Sequence, residues 1–251
     1  VQAILGGLRA TLEQTLSARL HLVRGLAAFA KMSPQVEPEQ FAVFARELQG
    51  SQHGIRSLQL APQGIVRFVH PMADNQAAIG RDLLAESGER QAALRSIADN
   101  RFTVIGPRQL VQGGQGLIAR LPVFLPDPAA PTGWGRFWGF ATILIDFDTL
   151  LDAAGLRDGA SAGEVAVALR GDNGDVFFGD PALFAGTALT AKVALPDGAW
   201  DIAGRPRGGW ADSWPGRRWL VAAGAVLILV IALAAHLQAR SSRALADARD
   251  R

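Results

Sequence analysis

Four histidines (His21, His53, His70 and His236) and no cysteine limit the chemistry open to this chain. No two of the histidines share a metal-ligand spacing such as His-x-x-x-His, and without a thiolate neither a zinc ribbon nor a cysteine nucleophile can be assembled. They read as surface or core side chains. A serine hydrolase would carry its nucleophile on a Gly-x-Ser-x-Gly turn, which the sequence lacks. Gly113-Gly114-Gln115-Gly116 has no Gly-Lys-Ser/Thr ending to grip phosphate and reads as a plain turn. Asp172, Asp175 and Asp180 lack the ligand spacing and terminal Glu of a calcium loop. The tripeptide Arg170-Gly171-Asp172 is one that chance composition produces. Asp146 and Asp148, two apart, would point to one face of a strand. With a helix following, their expected task is to accept its free backbone N–H groups. No catalytic group, metal or cofactor is expected from these residues.

Composition narrows the field further. The 251 residues are 49% hydrophobic, enough for one ordinary core or two small ones, and carry a net charge of only +2. Lys31 and Lys192 are the only lysines, and the arginines are spread along the chain instead of clustering with aromatics. Nucleic acid is therefore not an expected partner.

Residues 219–237, Trp219 to Leu237, contain no Asp, Glu, Lys or Arg. Nineteen helical residues measure roughly 28 Å, the thickness of a bilayer's hydrocarbon core, so a transmembrane helix in a lipid bilayer is expected. Trp210, Trp214 and Trp219 crowd its N-terminal side, where indoles favour the headgroup region. Arg217 and Arg218 flank one end and Arg240, Arg243, Arg249 and Arg251 the other, a slight lean toward a cytoplasmic C-terminus. The start at Val1, without a signal peptide, is read as the edge of a fragment whose upstream segment is expected to precede it.

The elements that would position any site follow from periodicity. Ile4, Leu8, Leu12, Leu16, Leu20, Val23, Leu26 and Ala30 recur three or four apart, one apolar stripe on a helix roughly 40 Å long. It is either a stalk or a helix lying on its own domain's core. Pro34 and Pro38 end it. A second helix is predicted over about 39–48. Strands are predicted at Ile55–Leu60 and Ile65–Val69, then a helix near Ser87–Asn100 and strands at Phe102–Ile105, Leu117–Phe124 and Phe137–Ile145. Gly106–Gly116 is expected to be turn-rich. After a short helix at Asp148–Ala154, Asn173-Gly174 marks one hairpin and Pro196-Asp197-Gly198 a second, making a small sheet before the membrane. The fold class is α+β.

Residues 29–156 resemble the CHASE family, the extracellular sensory domain of plant cytokinin receptors and of many bacterial histidine kinases and diguanylate cyclases. The resemblance rests on Phe41, Gly54-Ile55-Arg56, Gly80-Arg81-Asp82-Leu83 and Glu89 to Arg95. It continues through Thr103-Val-Ile-Gly-Pro107, Leu110, Gly116 and Leu121-Pro-Val-Phe124, and ends in Trp138 to Phe147 with Leu150-Leu151. A weaker match runs on to residue 210.

The resemblance implies a stalk and dimerisation helix over 1–35 and two PAS-like sensor domains in tandem, membrane-distal over 36–150 and membrane-proximal over 151–210. It implies the membrane helix over 219–237 and a cytoplasmic linker over 238–251. Residues 1–218 would then be periplasmic, on a bacterial inner membrane, and the apolar stripe of the first helix would be a homodimer interface through Leu8, Leu12, Leu16 and Leu20. In the plant receptors an acidic residue before the Arg of the helix motif bonds the ligand's adenine; the similar position here is Glu89. The loop after the Gly-Pro motif contributes backbone at about Val111, and pocket walls map to Leu83, Phe137 and Gly139.

One departure matters. Where a threonine lines the plant pocket this chain has Arg120, whose long cation obstructs a flat neutral purine and suits a carboxylate or phosphate. Either Arg120 faces the pocket, and the ligand is an anionic or amphoteric small molecule, or it pairs at the surface. The expected function is a ligand sensor that signals through the membrane helix to a diguanylate cyclase or phosphodiesterase, with a histidine kinase as second choice. The rival class is a periplasmic protein-interaction module without a small-molecule pocket.

Overall fold

A computed structural model describes residues 1–85, 87–110, 113–130, 133–157, 163–212 and 217–249. Helix α1 (Gln2–Met32) extends over the whole predicted stripe and stops at Ser33, because Pro34 disfavours helix in the residue before it. Leu8, Leu12, Leu16, Leu20, Val23 and Leu26 are all buried, and they pack in one core with residues of both sheets described below. This corrects the expectation of a partner interface along that stripe: the four leucines assigned to it face their own chain. Helix α2 (Pro38–Gln49) begins with Pro38 in its first turn, where no N–H is missed. Its Phe44 stacks on Phe29 of α1 with ring centroids 4.3 Å apart.

Five antiparallel strands make the first sheet: β1 (Ile55–Pro62), β2 (Phe68–His70), β3 (Thr103–Gln109), β4 (Gln115–Leu125) and β5 (Arg136–Asp146), in the order β2-β1-β5-β4-β3. Helix α3 (Ser87–Asp99) lies between β2 and β3 in sequence. Side chains alternate across the sheet. Leu117, Ala119 and Val123 of β4 and Ala141, Ile143 and Ile145 of β5 join the core with α1, whereas Ile118, Phe140 and Leu144 belong to clusters on the opposite face.

Two strands depart from the sequence reading. β2 starts only at Phe68, because Ile65 turns aside to bridge Asp82. β3 runs through the expected turn to Gln109; Pro107 is tolerated because it falls in a bulge of this edge strand, where the register pairs neither it nor Gly106 with β4.

Asp146 ends β5 and caps α4 (Phe147–Ala153), accepting from the Thr149 N–H at 2.9 Å and its hydroxyl at 2.8 Å. The second sheet has β6 (Val165–Arg170), β7 (Val176–Phe178), β8 (Leu189–Leu195) and β9 (Gly198–Pro206), ordered β7-β6-β9-β8. Its hairpins turn at Asn173-Gly174 and at Pro196-Asp197. Phe147, Phe177 and Trp200 meet edge to face, so α4 is anchored on this sheet, and the Asp197 carboxylate accepts from the β3 amide of Val104 at 2.7 Å. Residues Val1–Arg205 form one compact unit that holds both sheets.

The remaining unit, Pro206–Arg251, contains the short α5 (Gly209–Asp212) and α6 (Arg217–Arg249). Within α6, Trp219–His236 has a mean hydropathy of 2.4 and none of it is buried by protein. It is long and apolar enough to cross a membrane.

Candidate functional site

The three central strands of the first sheet each turn buried polar side chains to one face, and in β1 Gln59 Nε2 donates to the Ser57 hydroxyl beside it at 3.0 Å. Gln59 of β1 lies opposite Thr142 of β5, which lies opposite Arg120 of β4. The register sets the three in one row across the sheet, on the face turned from α1, and all three are buried. Buried arginine requires a partner. Arg120 Nη2 donates to Glu89 Oε2 at 2.6 Å, while its guanidinium lies 5.4 Å from the centre of the Phe140 ring. Surface pairing of Arg120 is thereby overturned, since only 1% of the residue is exposed.

Glu89 stands in the first turn of α3, where the helix dipole favours a negative charge, and is 2% exposed. Its Oε1 accepts from Arg108 Nη1 at 3.2 Å and lies 3.6 Å from Arg81 Nη2. Arg108 reaches it because of a bulge. Ile105 opposes Ile118 and Arg108 opposes Gly116, so three steps along β3 match two along β4 and both side chains fall on one face.

These groups surround a cavity with apolar walls at Val66, Leu83, Leu110, Ile118 and Leu144 and with Gln59 and Thr142 on its floor. The space left is about 30 Å³, room for one or two waters. The Thr142 hydroxyl is buried and has no hydrogen-bond partner among the described residues.

Glu89, Arg120 and Leu83 are thus brought together. Phe137 and Gly139 do not line the cavity: Phe137 packs against Phe124 and Phe140, in a cluster that also holds the wall residues Val66 and Leu83, and Gly139 sits in the β5 ladder opposite Val123 and Pro62. A Cβ there would strike the carbonyl of Ala61, at a φ of +155°, so backbone approach accounts for this glycine. Val111 lies outside the described residues. The sequence reading missed Gln59, Arg81, Arg108 and Thr142. Polar residues inside apolar strand runs were the available signal for Gln59 and Thr142; Arg108 had none short of knowing the bulge.

Beside the cavity, Arg56 Nε donates to Asp146 Oδ2 at 2.9 Å, and its Nη1 donates to the carbonyl of Gly113 in the turn after β3. Burial pushes the Asp146 pKa up, but the Thr149 donors and the Arg56 guanidinium outweigh it and hold the carboxyl below its ordinary value. Among the described residues no cluster of His, Asp or Glu could hold a metal ion.

The profile of the CHASE domain matches residues 14–175. No curated protein sequence matches the chain. Among solved structures, an extracellular ligand-binding receptor from Desulfohalobium retbaense is similar with a TM-score of 0.62 at 15% identity, over 80% of this chain. The chain spans only 39% of that receptor's length. The ligand-binding domain of the Pseudomonas aeruginosa amino acid chemoreceptor PctC, in complex with GABA, gives a TM-score of 0.55 at 19% identity, covering 78% of this chain and 93% of that one. The sensor domain of the V. cholerae histidine kinase DctB gives 0.52 at 12% identity, covering 81% and 94%. Such identities establish a shared fold, that of PAS-like receptor sensor domains.

Proposed function

We propose, from the premise that this chain belongs to the CHASE domain family, that the cavity beneath α3 binds a small molecule bearing an acidic group. This region is an extracellular ligand-binding sensor of a membrane receptor, and the similar solved structures are sensor and ligand-binding domains, not catalytic ones. The observation that carries the ligand class is the convergence of Arg120, Arg108 and Arg81 on one buried carboxylate. Guanidinium groups in that arrangement recognise carboxylate or phosphate. A ligand that also carries an amine would find its partner in Glu89, and chemoreceptors of similar fold are solved with L-Arg and GABA. We place the contacts at Leu83, Glu89 and Arg120, with Arg108 and Thr142 added by the geometry and Val111 retained from the family pattern.

The second sheet's order, β7-β6-β9-β8, repeats the first sheet's habit of placing its opening strand in the interior beside its own second strand. That supports two PAS-like domains in tandem. α6 would span a bacterial inner membrane with residues 1–218 periplasmic and 238–251 cytoplasmic. The receptor would be a homodimer through surfaces other than the leucine stripe of α1. Its output would be a diguanylate cyclase or phosphodiesterase, with a histidine kinase second, by analogy with bacterial relatives.

The test is a thermal-shift screen of the full chain in lipid nanodiscs against amino acids, organic acids and adenines, repeated on Arg120→Ala. An acidic or amphoteric hit that Arg120→Ala weakens about tenfold or more is expected. A neutral adenine as best hit, indifferent to Arg120→Ala, overturns the ligand class. No hit in any class favours a periplasmic protein partner.

A further inference from the structure

The cavity has little space because its own carboxylate fills it. Glu89 projects from α3 onto Arg120 and Arg108 with the geometry a ligand acid would adopt, one oxygen on each guanidinium, at 2.6 and 3.2 Å. Around that carboxylate stand apolar walls and the Thr142 hydroxyl, which is buried and has no hydrogen-bond partner among the described residues. A buried hydroxyl is normally satisfied, so Thr142 marks a position where a second polar atom of an incoming molecule is met.

We propose that Glu89 is a tethered stand-in for the ligand. A small carboxylic acid takes over Arg120 and Arg108, with Thr142 bonding its second polar group, and Glu89 is expelled from the seat.

This rests on the reading of the cavity as the ligand site, and it sharpens that reading in two ways. The ligand needs no amine, since Glu89 leaves instead of bonding to it; short aliphatic carboxylates with a hydroxyl or second carboxyl are the class. Binding is also coupled to movement, because Glu89, in the first turn of α3, must swing its carboxylate off Arg120 and Arg108. Arg108, whose side chain is 40% exposed at the rim, is the arginine an entering anion meets first, whereas Arg120 can be reached only after Glu89 gives way.

Competition with a tethered carboxylate fixes the sign of the test. If Glu89 competes, removing its charge strengthens binding; if Glu89 holds a ligand amine, removing it weakens binding. The experiment is calorimetric titration of the full chain in nanodiscs with lactate, succinate, glutarate and 4-aminobutyrate, for the wild type, Glu89→Gln and Glu89→Ala. Glu89→Ala guards against an amide that fits badly among arginines.

Binding of at least one carboxylate about tenfold tighter in both variants than in wild type is expected. Binding in the variants alone supports the proposal equally. Equal or weaker binding in both variants overturns the displacement and leaves the acidic-ligand reading standing. Absence of binding to all three proteins overturns both, and circular dichroism confirming that each variant is folded keeps that outcome decisive.

Discussion

The first sheet meets α1 on one face and α3 on the other, and the two faces are built for different purposes. Against α1 the strands present Leu117, Ala119, Val123, Ile143 and Ile145, and the helix answers with leucines that leave almost no surface exposed. Against α3 the same strands present Arg120, Thr142 and Gln59, with a space between them. Alternation along β4 and β5 separates the two chemistries by one residue. Hydrophobic contact stabilises without demanding direction. A buried ion pair stabilises weakly but is sensitive to the loss of either member. The first face therefore holds the fold and the second is free to respond.

The sharpest way to break this comparison is to move charge to the wrong face. Leu12→Asp sets an unpaired carboxylate in the α1 core and is expected to abolish cooperative folding by circular dichroism. On the other face Arg120→Ala removes the shortest of the three guanidinium contacts of Glu89, leaving Arg108 and Arg81, and should cost about 1.5–3 kcal/mol in denaturant unfolding. The paired replacement Arg120→Met with Glu89→Leu should cost much less than Arg120→Ala, and an equal or greater loss would show that the pair is a structural necessity.

Asp146→Ala, which removes the α4 cap and the Arg56 partner, should cost about 1–2 kcal/mol near neutral pH. The folded pKa of Asp146 lies below its unfolded one. Its contribution is thus complete above the unfolded value near 3.9 and fades as pH falls through the folded value. Melting temperatures of wild type and variant should converge in that acid range; a gap that stays constant down to pH 2 would contradict the sign. The smallest effect on stability is expected from Thr142→Val, about 1 kcal/mol or less in either direction, because the hydroxyl has no partner to lose. Ligand affinity should fall nonetheless.

Much of the fold was legible because its signals are local. The stripe from Leu8 to Ala30, the Asn173-Gly174 turn and the unbroken run after Trp219 each announce one element without reference to the rest. What α1 packs against was not legible, since one apolar stripe serves a partner or a core equally well. The site divides the same way. Glu89 and Arg120 stood out by resemblance and by residue type. Arg108 depends on a bulge opposite Gly116, and Thr142 on a strand register that ties it to Arg120, 22 positions away. Phe137 and Gly139 fall outside the cavity lining for different reasons: Phe137 is on the same face but farther along β5, packed on Phe124 and Phe140, and Gly139 is where two backbones meet.

Arg56 bonds at once to Gly113, in the turn beside the cavity, and to Asp146, which starts the helix anchored on the second sheet. Energetic coupling between two positions is reciprocal. If occupancy of the cavity alters the hold on Gly113, then the state of α4 alters occupancy by the same factor. A variant such as Asp146→Asn would then not silence the receptor. It would recalibrate it, shifting the concentration at which half the response is reached while the full response survives.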